Sequence, residues 1–177
     1  MPIDLILYFG GTCALYLLLI RPIGASPVGE ALKTGIRVGL GAMLASQVVS
    51  ARPDLLATFR YVAGLYLIAA AIIGVRRATA PGQVPTEEAA QASWTHRLGV
   101  GQILFGFALL VHLVEGGGGA VLAAIGGSIA AAVTGALTLT AAESFERGRE
   151  DAVLADRRLR QGTGVLLLAI AVYLAWP

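Results

Sequence analysis

Apolar runs close to twenty residues long, each cut off by charge, proline or glycine, fill most of this chain. About 20 apolar residues cross the hydrocarbon core of a bilayer as a helix, so 177 residues leave room for five to seven crossings with short connections. Hydrophobic residues make up 56% of the chain and charged ones 14%, against about 25% charged in an ordinary soluble domain. Such a surface has no stable arrangement in water. The sequence predicts lipid as the solvent and a multi-pass, all-α membrane protein.

Six spans are expected, in chain order. The first is Ile3 to Ile20, stopped by Arg21-Pro22, where a charge and a missing N–H end the helix together. Met1 to Asp4 lacks Lys and Arg, and no small-residue cleavage site follows, so this run reads as a retained span rather than a signal peptide. The second runs from about Glu30 to Ser50 and carries Gly35, Gly39, Ala42 and Ser46 as a close-packing stripe. The third runs from Leu55 to Val75 and ends in Arg76-Arg77. A linker over residues 78–97 follows, with a short surface helix expected from Glu87 to Arg97 and Trp94 at headgroup depth.

The fourth span is Leu98 to Val114, closed by Glu115 and the glycines Gly116 to Gly119. The fifth, Ala120 to Ala142, repeats small residues every four positions at Ala123, Gly127, Ala131 and Gly135, and again at Ala124, Ser128, Ala132 and Ala136. A helix this smooth is expected in the centre of the bundle. Glu143 to Arg160 reads as its polar extension, with Glu143/Arg147 and Arg147/Asp151 at helical pairing distance. Gly162 to Trp176 is the sixth span, anchored by Tyr173 and Trp176.

With six crossings, eleven cations fall on one side: Arg21, Lys33, Arg37, Arg76, Arg77, Arg97, Arg147, Arg149, Arg157, Arg158 and Arg160. Only Arg52 and Arg60 fall on the other. The positive-inside rule then predicts a plasma (inner) membrane protein with its basic connections in the cytoplasm and both termini outside.

A degraded repeat links the two ends of the chain. Arg60-Tyr61-Val62-Ala63-Gly64-Leu65-Tyr66-Leu67-Ile68-Ala69-Ala70-Ala71-Ile72 returns as Arg160-Gln161-Gly162-Thr163-Gly164-Val165-Leu166-Leu167-Leu168-Ala169-Ile170-Ala171-Val172. Arg, Gly, Leu and two Ala recur in register. Two three-helix repeats are therefore expected, over residues 1–77 and 98–177. Three is odd, so the second copy enters the membrane upside down. Inverted repeats of this kind underlie alternating access in many transporters, although duplication also builds symmetric bundles that move nothing.

Ala31-Leu32-Lys33-Thr34-Gly35-Ile36-Arg37-Val38-Gly39-Leu40-Gly41 resembles the second helix of the lysine-exporter-type (amino-acid efflux) proteins. Phe59 to Leu67, closed by Gly74-Val75-Arg76-Arg77, resembles their third helix, and Leu159 to Leu168 their last. Gly10-Gly11-Thr12-Cys13 stands where that family carries a Pro-Gly-Pro break. The resemblance implies a 3+3 exporter of small cationic or polar solutes, driven by proton antiport.

Candidate solute-binding residues follow from polarity inside apolar runs. Arg60 lies about 9 Å inward if its helix starts after Pro53. An intramembrane cation is a functional candidate that would hold a carboxylate, unless it snorkels to the surface. Gln47, Thr134 and Thr138, with Ser128, line a prospective polar path, or else bond their own backbone. Thr12 sits beside a possible break at Gly10-Gly11. His112 and Glu115, three apart, form a candidate proton-coupling pair or a boundary pair near water. Arg160 reads as an orientation signal.

The lone Cys13 excludes an internal disulfide and a multi-cysteine metal site, and reads as a small hydrophobe. No paired carboxylates, activated nucleophile, metal cluster or phosphate loop stands out, so neither enzymatic activity, cofactor, metal nor nucleic-acid partner is expected. The expected function is a small secondary exporter of an amino acid or similar solute, with pairing into a homodimer through a small-residue face as the assembly such faces allow. The alternative is a non-catalytic subunit of a larger membrane complex, docked through those faces.

Overall fold

The computed structural model describes residues 3–20, 26–79, 99–113, 120–147 and 152–175. Among these the regular structure is helical throughout: α1 (Ile3–Ile20), α2 (Pro27–Ala51), a 3-10 turn (Pro53–Leu55), α3 (Leu56–Thr79), α4 (Val100–Leu113), α5 (Ala120–Arg147) and α6 (Ala152–Ala175). The expected surface helix with Trp94, the glycine run and Asp151 lie outside the described residues.

Local chemistry sets the ends. Ser26 caps α2, its hydroxyl accepting from the Gly29 N–H at 3.4 Å, with Pro27 in the first turn. Proline there loses no hydrogen bond, because the first N–H groups of a helix have no partner anyway. Glu30 adds a negative charge near the positive end of the helix dipole and pairs with Lys33 at 3.0 Å. Ser26→Ala is expected to destabilise the fold by about 1 kcal/mol, read as a shift of the unfolding midpoint in detergent micelles. Pro53 ends α2, and the 3-10 turn that follows is held by an exposed Arg52–Asp54 ion pair at 3.0 Å.

Two ends differ from the expectation. The fifth helix stops at Arg147, and the sixth begins at Ala152 rather than Gly162. Asp156 and Arg160, one turn apart on α6, bond at 2.8 and 3.0 Å and carry that helix beyond its apolar stretch. The first helix runs unbroken through Gly10-Gly11-Thr12.

The six helices close into a ring in the order α1, α5, α2, α4, α3, α6 and back to α1. Phe9 meets Gly127 and Leu17 meets Gly135, so α1 and α5 run parallel; Thr34 meets Gln102 and Val38 meets Gly106, so α2 and α4 do too. Exchanging α1 with α4, α2 with α5 and α3 with α6 maps these principal contacts onto one another. The repeated stretch behaves alike in both copies. Positions 56–74 and 156–174 are equally buried or exposed except at 61, 66 and 74 and their counterparts. The two sequence halves interdigitate: α2 lies on α4 and α5, and α1 lies on α5 and α6.

The bulk of the interior comes from α1 and α4. Phe9, Leu17, Phe105 and Leu109 are fully buried, and the Tyr16 and Phe105 rings stack at 4.1 Å across the middle. The fifth helix is therefore on the ring and not at its centre. Its stripe of Ala123, Gly127, Ala131 and Gly135 is buried as expected, while Ile125, Ile129, Val133 and Leu137 point outward. On α2, Gly35, Gly39, Ala42 and Ser46 are buried, and Leu32, Ile36, Leu40 and Leu44 point outward at the same spacing. One small face is enough for close approach, and the ring must still be filled by volume.

Two segments, Pro53–Arg76 and Val121–Phe145, are long and apolar enough to cross a bilayer; Phe9–Leu19 and Val100–His112 are shorter apolar helices. The end of the bundle where α1 finishes carries Lys33, Arg37, Arg76, Arg157, Arg158 and Arg160 among the described residues, and the opposite end carries Arg52 and Arg60.

Candidate functional site

Polar groups inside the bundle gather around α4. Gly99, with φ +63°, turns the chain into this helix, and its carbonyl accepts from the Gln102 and Ile103 N–H groups at 2.9 and 3.1 Å. Glycine suits this position on two counts: the backbone is left-handed, which strains a residue with a Cβ, and the Arg37 side chain lies against it. Gln102 then spans the α2/α4 seam. Its Nε2 donates to Thr34 Oγ1 at 2.9 Å, and its Oε1 accepts from Arg37 Nη1 at 2.9 Å. Thr34 is wholly buried and Gln102 nearly so. Burying an amide is unfavourable unless its hydrogen bonds are replaced, and both ends of Gln102 are matched.

The third helix joins the same hub at two points. The Tyr66 hydroxyl donates to the Gly101 carbonyl at 2.7 Å, and Arg60 Nε donates to the Val111 carbonyl at 3.1 Å. Arg60 is half-buried, four residues into α3, and its charge meets the negative end of the α4 dipole. It thus braces the last turn of α4, rather than standing open at the surface. Beside it, His112 Nδ1 lies 2.9 Å from the Ala108 carbonyl, a contact within its own helix. Glu115, its expected proton partner, lies outside the described residues.

The remaining candidates separate. Thr134 Oγ1 lies 2.8 Å from the Gly10 carbonyl and 2.6 Å from that of Ala130, tying α5 to α1. Thr138 and Ser128 donate to Thr134 and Ala124, one turn back on α5, each at 2.6 Å. Those two hydroxyls serve their own backbone. Gln47 is exposed on α2 and does not enter the interior polar path expected of it. Thr12 is buried and lines a crevice with Leu67, Phe105, Leu167, Ile170, Ala171 and Leu174. This crevice is apolar apart from that hydroxyl and too narrow for a water molecule. Arg160 is bound by Asp156 on both carboxylate oxygens, and its buried Nη2 has no hydrogen-bond partner among the described residues.

Gln102, Thr34 and Arg37 carry no joint signal in the sequence. Each stands alone in an apolar run, and only the packing of α2 on α4 brings them together. A second echo between the halves is Phe9-Gly10 against Phe105-Gly106, too short to stand out by itself. In both copies the Phe is buried and the Gly meets the backbone of a neighbour, Ala130 for Gly10 and Val38 for Gly106. Among the described residues no group of three potential metal ligands occurs. Cys13 is buried and free. No family model matches the chain, and comparison with curated proteins and with solved structures finds no match.

Proposed function

We propose that this chain is a six-span protein of the plasma (inner) membrane, made of two inverted three-helix repeats, that exports a small polar solute by alternating access. The observation that carries this reading is the exchange of the helix contacts when the halves are swapped. Transporters with inverted repeats use that symmetry, with the two access states differing by which repeat adopts which conformation. The outward Leu, Ile and Val stripes of α2 and α5 support lipid surroundings, since soluble monomers rarely expose contiguous apolar bands of that kind. The cation-rich end would face the cytoplasm and both termini the outside. The lysine-exporter-type resemblance of α2, α3 and α6 agrees with export of an amino acid or similar solute, without catalytic chemistry or a cofactor.

A second reading is a non-catalytic subunit of a membrane complex. It is favoured by the matched hydrogen bonds of Gln102, Thr34 and Thr134 and by a mid-bundle crevice that admits no water. Purified chain in proteoliposomes, screened with an amino-acid mixture and with divalent cations, separates the two. Export predicts solute flux that Arg60→Ala removes while circular dichroism and elution volume stay unchanged. Absence of flux for every solute, with a stoichiometric partner recovered in mild detergent, would replace the first reading by the second.

A further inference from the structure

One ion pair among the described residues is turned inward. Asp156 and Arg160 lie on the stripe of α6 that continues through Thr163, Gly164, Leu167 and Ala171, the face this helix turns toward the bundle. The cations of the Glu30–Lys33 and Arg52–Asp54 pairs are each 62% exposed, whereas Arg160 is 16% exposed. Resting on the transport reading, we infer that the Asp156–Arg160 pair binds the solute at the cation-rich end, and that this solute is a zwitterion. Arg160 takes its carboxylate and Asp156 its ammonium group. Three observations carry this.

The first is an unmatched donor. Arg160 Nε donates to both Asp156 oxygens at 2.8 and 3.0 Å, while Nη2 is buried with no hydrogen-bond partner among the described residues. No other buried side-chain nitrogen or oxygen among them lacks one. A buried polar group left unmatched calls for a reason. A guanidinium presents its N–H groups in a rigid fork that fits a carboxylate, and a solute carboxylate at Nη2 supplies that reason.

The second is the repeat. Arg60 stands at the matching place on α3 and donates its Nε to the Val111 carbonyl, so that arginine ties two helices together. Position 56 is Leu where position 156 is Asp. The first copy therefore builds the same helix face without an acid. The acid occurs in the second copy only, at the cation-rich end, which the transport reading places in the cytoplasm and from which an exporter loads.

The third is charge and position. Arg160 and Asp156 together are neutral, so they suit a solute whose own charges cancel. A simple anion would meet the Asp156 carboxylate as a like charge. One turn deeper on α6, Gly164 meets Val75 and Leu19, and Leu19 also rests on Gly74 of α3. Leu19 thus fills the junction of α1, α3 and α6 between the pair and the Thr12 crevice. The pair is on the cation-rich side of that plug, where a loading site belongs.

Binding is read on the full chain in micelles as a rise of the unfolding midpoint with ligand. The probes are L-alanine, L-leucine and L-lysine, each beside its amide and its N-acetyl form. At least one free amino acid is expected to raise the midpoint, and its two blocked forms to bind at least about tenfold more weakly. Arg160→Lys keeps a cation for Asp156 but has no second nitrogen for the carboxylate; Asp156→Asn keeps the shape of the acid without its charge. Each is expected to weaken binding at least about tenfold, while Arg158→Gln, exposed on the same helix, leaves it unchanged. No shift with any of the three amino acids, equal shifts with the blocked forms, or undiminished binding in both variants overturns the inference. Should either variant fail to fold, the blocked probes on the parent chain decide by themselves. Flux is measured separately in proteoliposomes. Binding without flux leaves the site standing and removes the transport reading; flux that survives both variants undiminished does the reverse.

Discussion

Gly106→Ala is expected to destabilise the folded chain by about 2 to 3 kcal/mol, while Gly11→Ala, tested beside it, leaves stability unchanged or raises it by up to about 1 kcal/mol. Both glycines lie within helices next to large side chains, and composition does not tell them apart. The difference is what a new methyl would meet. At Gly106 it meets the Val38 carbonyl and Cα, all main chain, and the reciprocal contact of Gly41 with Ile103 sits one turn away on the same seam. A side chain in the way swings to another rotamer; a backbone does not. The helices α2 and α4 would have to separate, which stretches the Gln102 bonds to Thr34 and Arg37 as well. At Gly11 nothing lies within 4 Å, so the methyl only relieves the unfolded chain of some of its freedom. Reversible unfolding in mixed micelles, followed by tryptophan emission or by trapping of the unfolded state, reads both variants. Equal stability of the two would mean that α2 and α4 do not touch through their backbones, and the ring order would fail with that contact.

How much of this was legible in the residues depended on whether the signal was periodic or pairwise. The repeat at Arg60 and Arg160 was readable because a helix presents the same face to its partner in both copies. Gly64 and Gly164, Leu67 and Leu167, and Ala71 and Ala171 are each buried in turn. The first helix ends where proline and charge end it. Helix ends in polar sequence were not readable from hydropathy, which marks where a chain would meet lipid and not where hydrogen bonding stops. The Asp156–Arg160 pair continues α6 through residues that a hydropathy window rejects. The fifth helix was expected at the centre because it is smooth, but smoothness concerns one face only. Its other face holds Ile129 and Leu137, which need somewhere apolar to point. Arg60 was legible as a cation within an apolar run; its bond to the Val111 carbonyl was not, because the acceptor is main chain and carries no sequence signature.

The least legible feature carries the second large effect. Thr34 and Gln102 are 68 residues apart, and neither spacing nor composition ties them together. Gln102→Leu preserves most of the volume but leaves Thr34, which is wholly buried, without its amide donor and takes the Gln102 acceptor from Arg37. The expected loss is about 2 to 4 kcal/mol, since a buried amide hydrogen bond and a part-buried one to a charged group are removed together. Gln47→Leu is the matched control: the same chemical change on the same bundle, at an exposed position, expected to shift stability by less than about 0.5 kcal/mol. Thr34→Val in combination with Gln102→Leu tests the pair directly. If the hydroxyl and the amide satisfy each other, the double variant is more stable than the two single losses added together, by about 1 to 2 kcal/mol. Strict additivity would mean that the two side chains do not meet. The α2/α4 seam would then rest on its glycines alone, and Arg37 would have to be explained by the charged end of the bundle instead of by the amide it donates to.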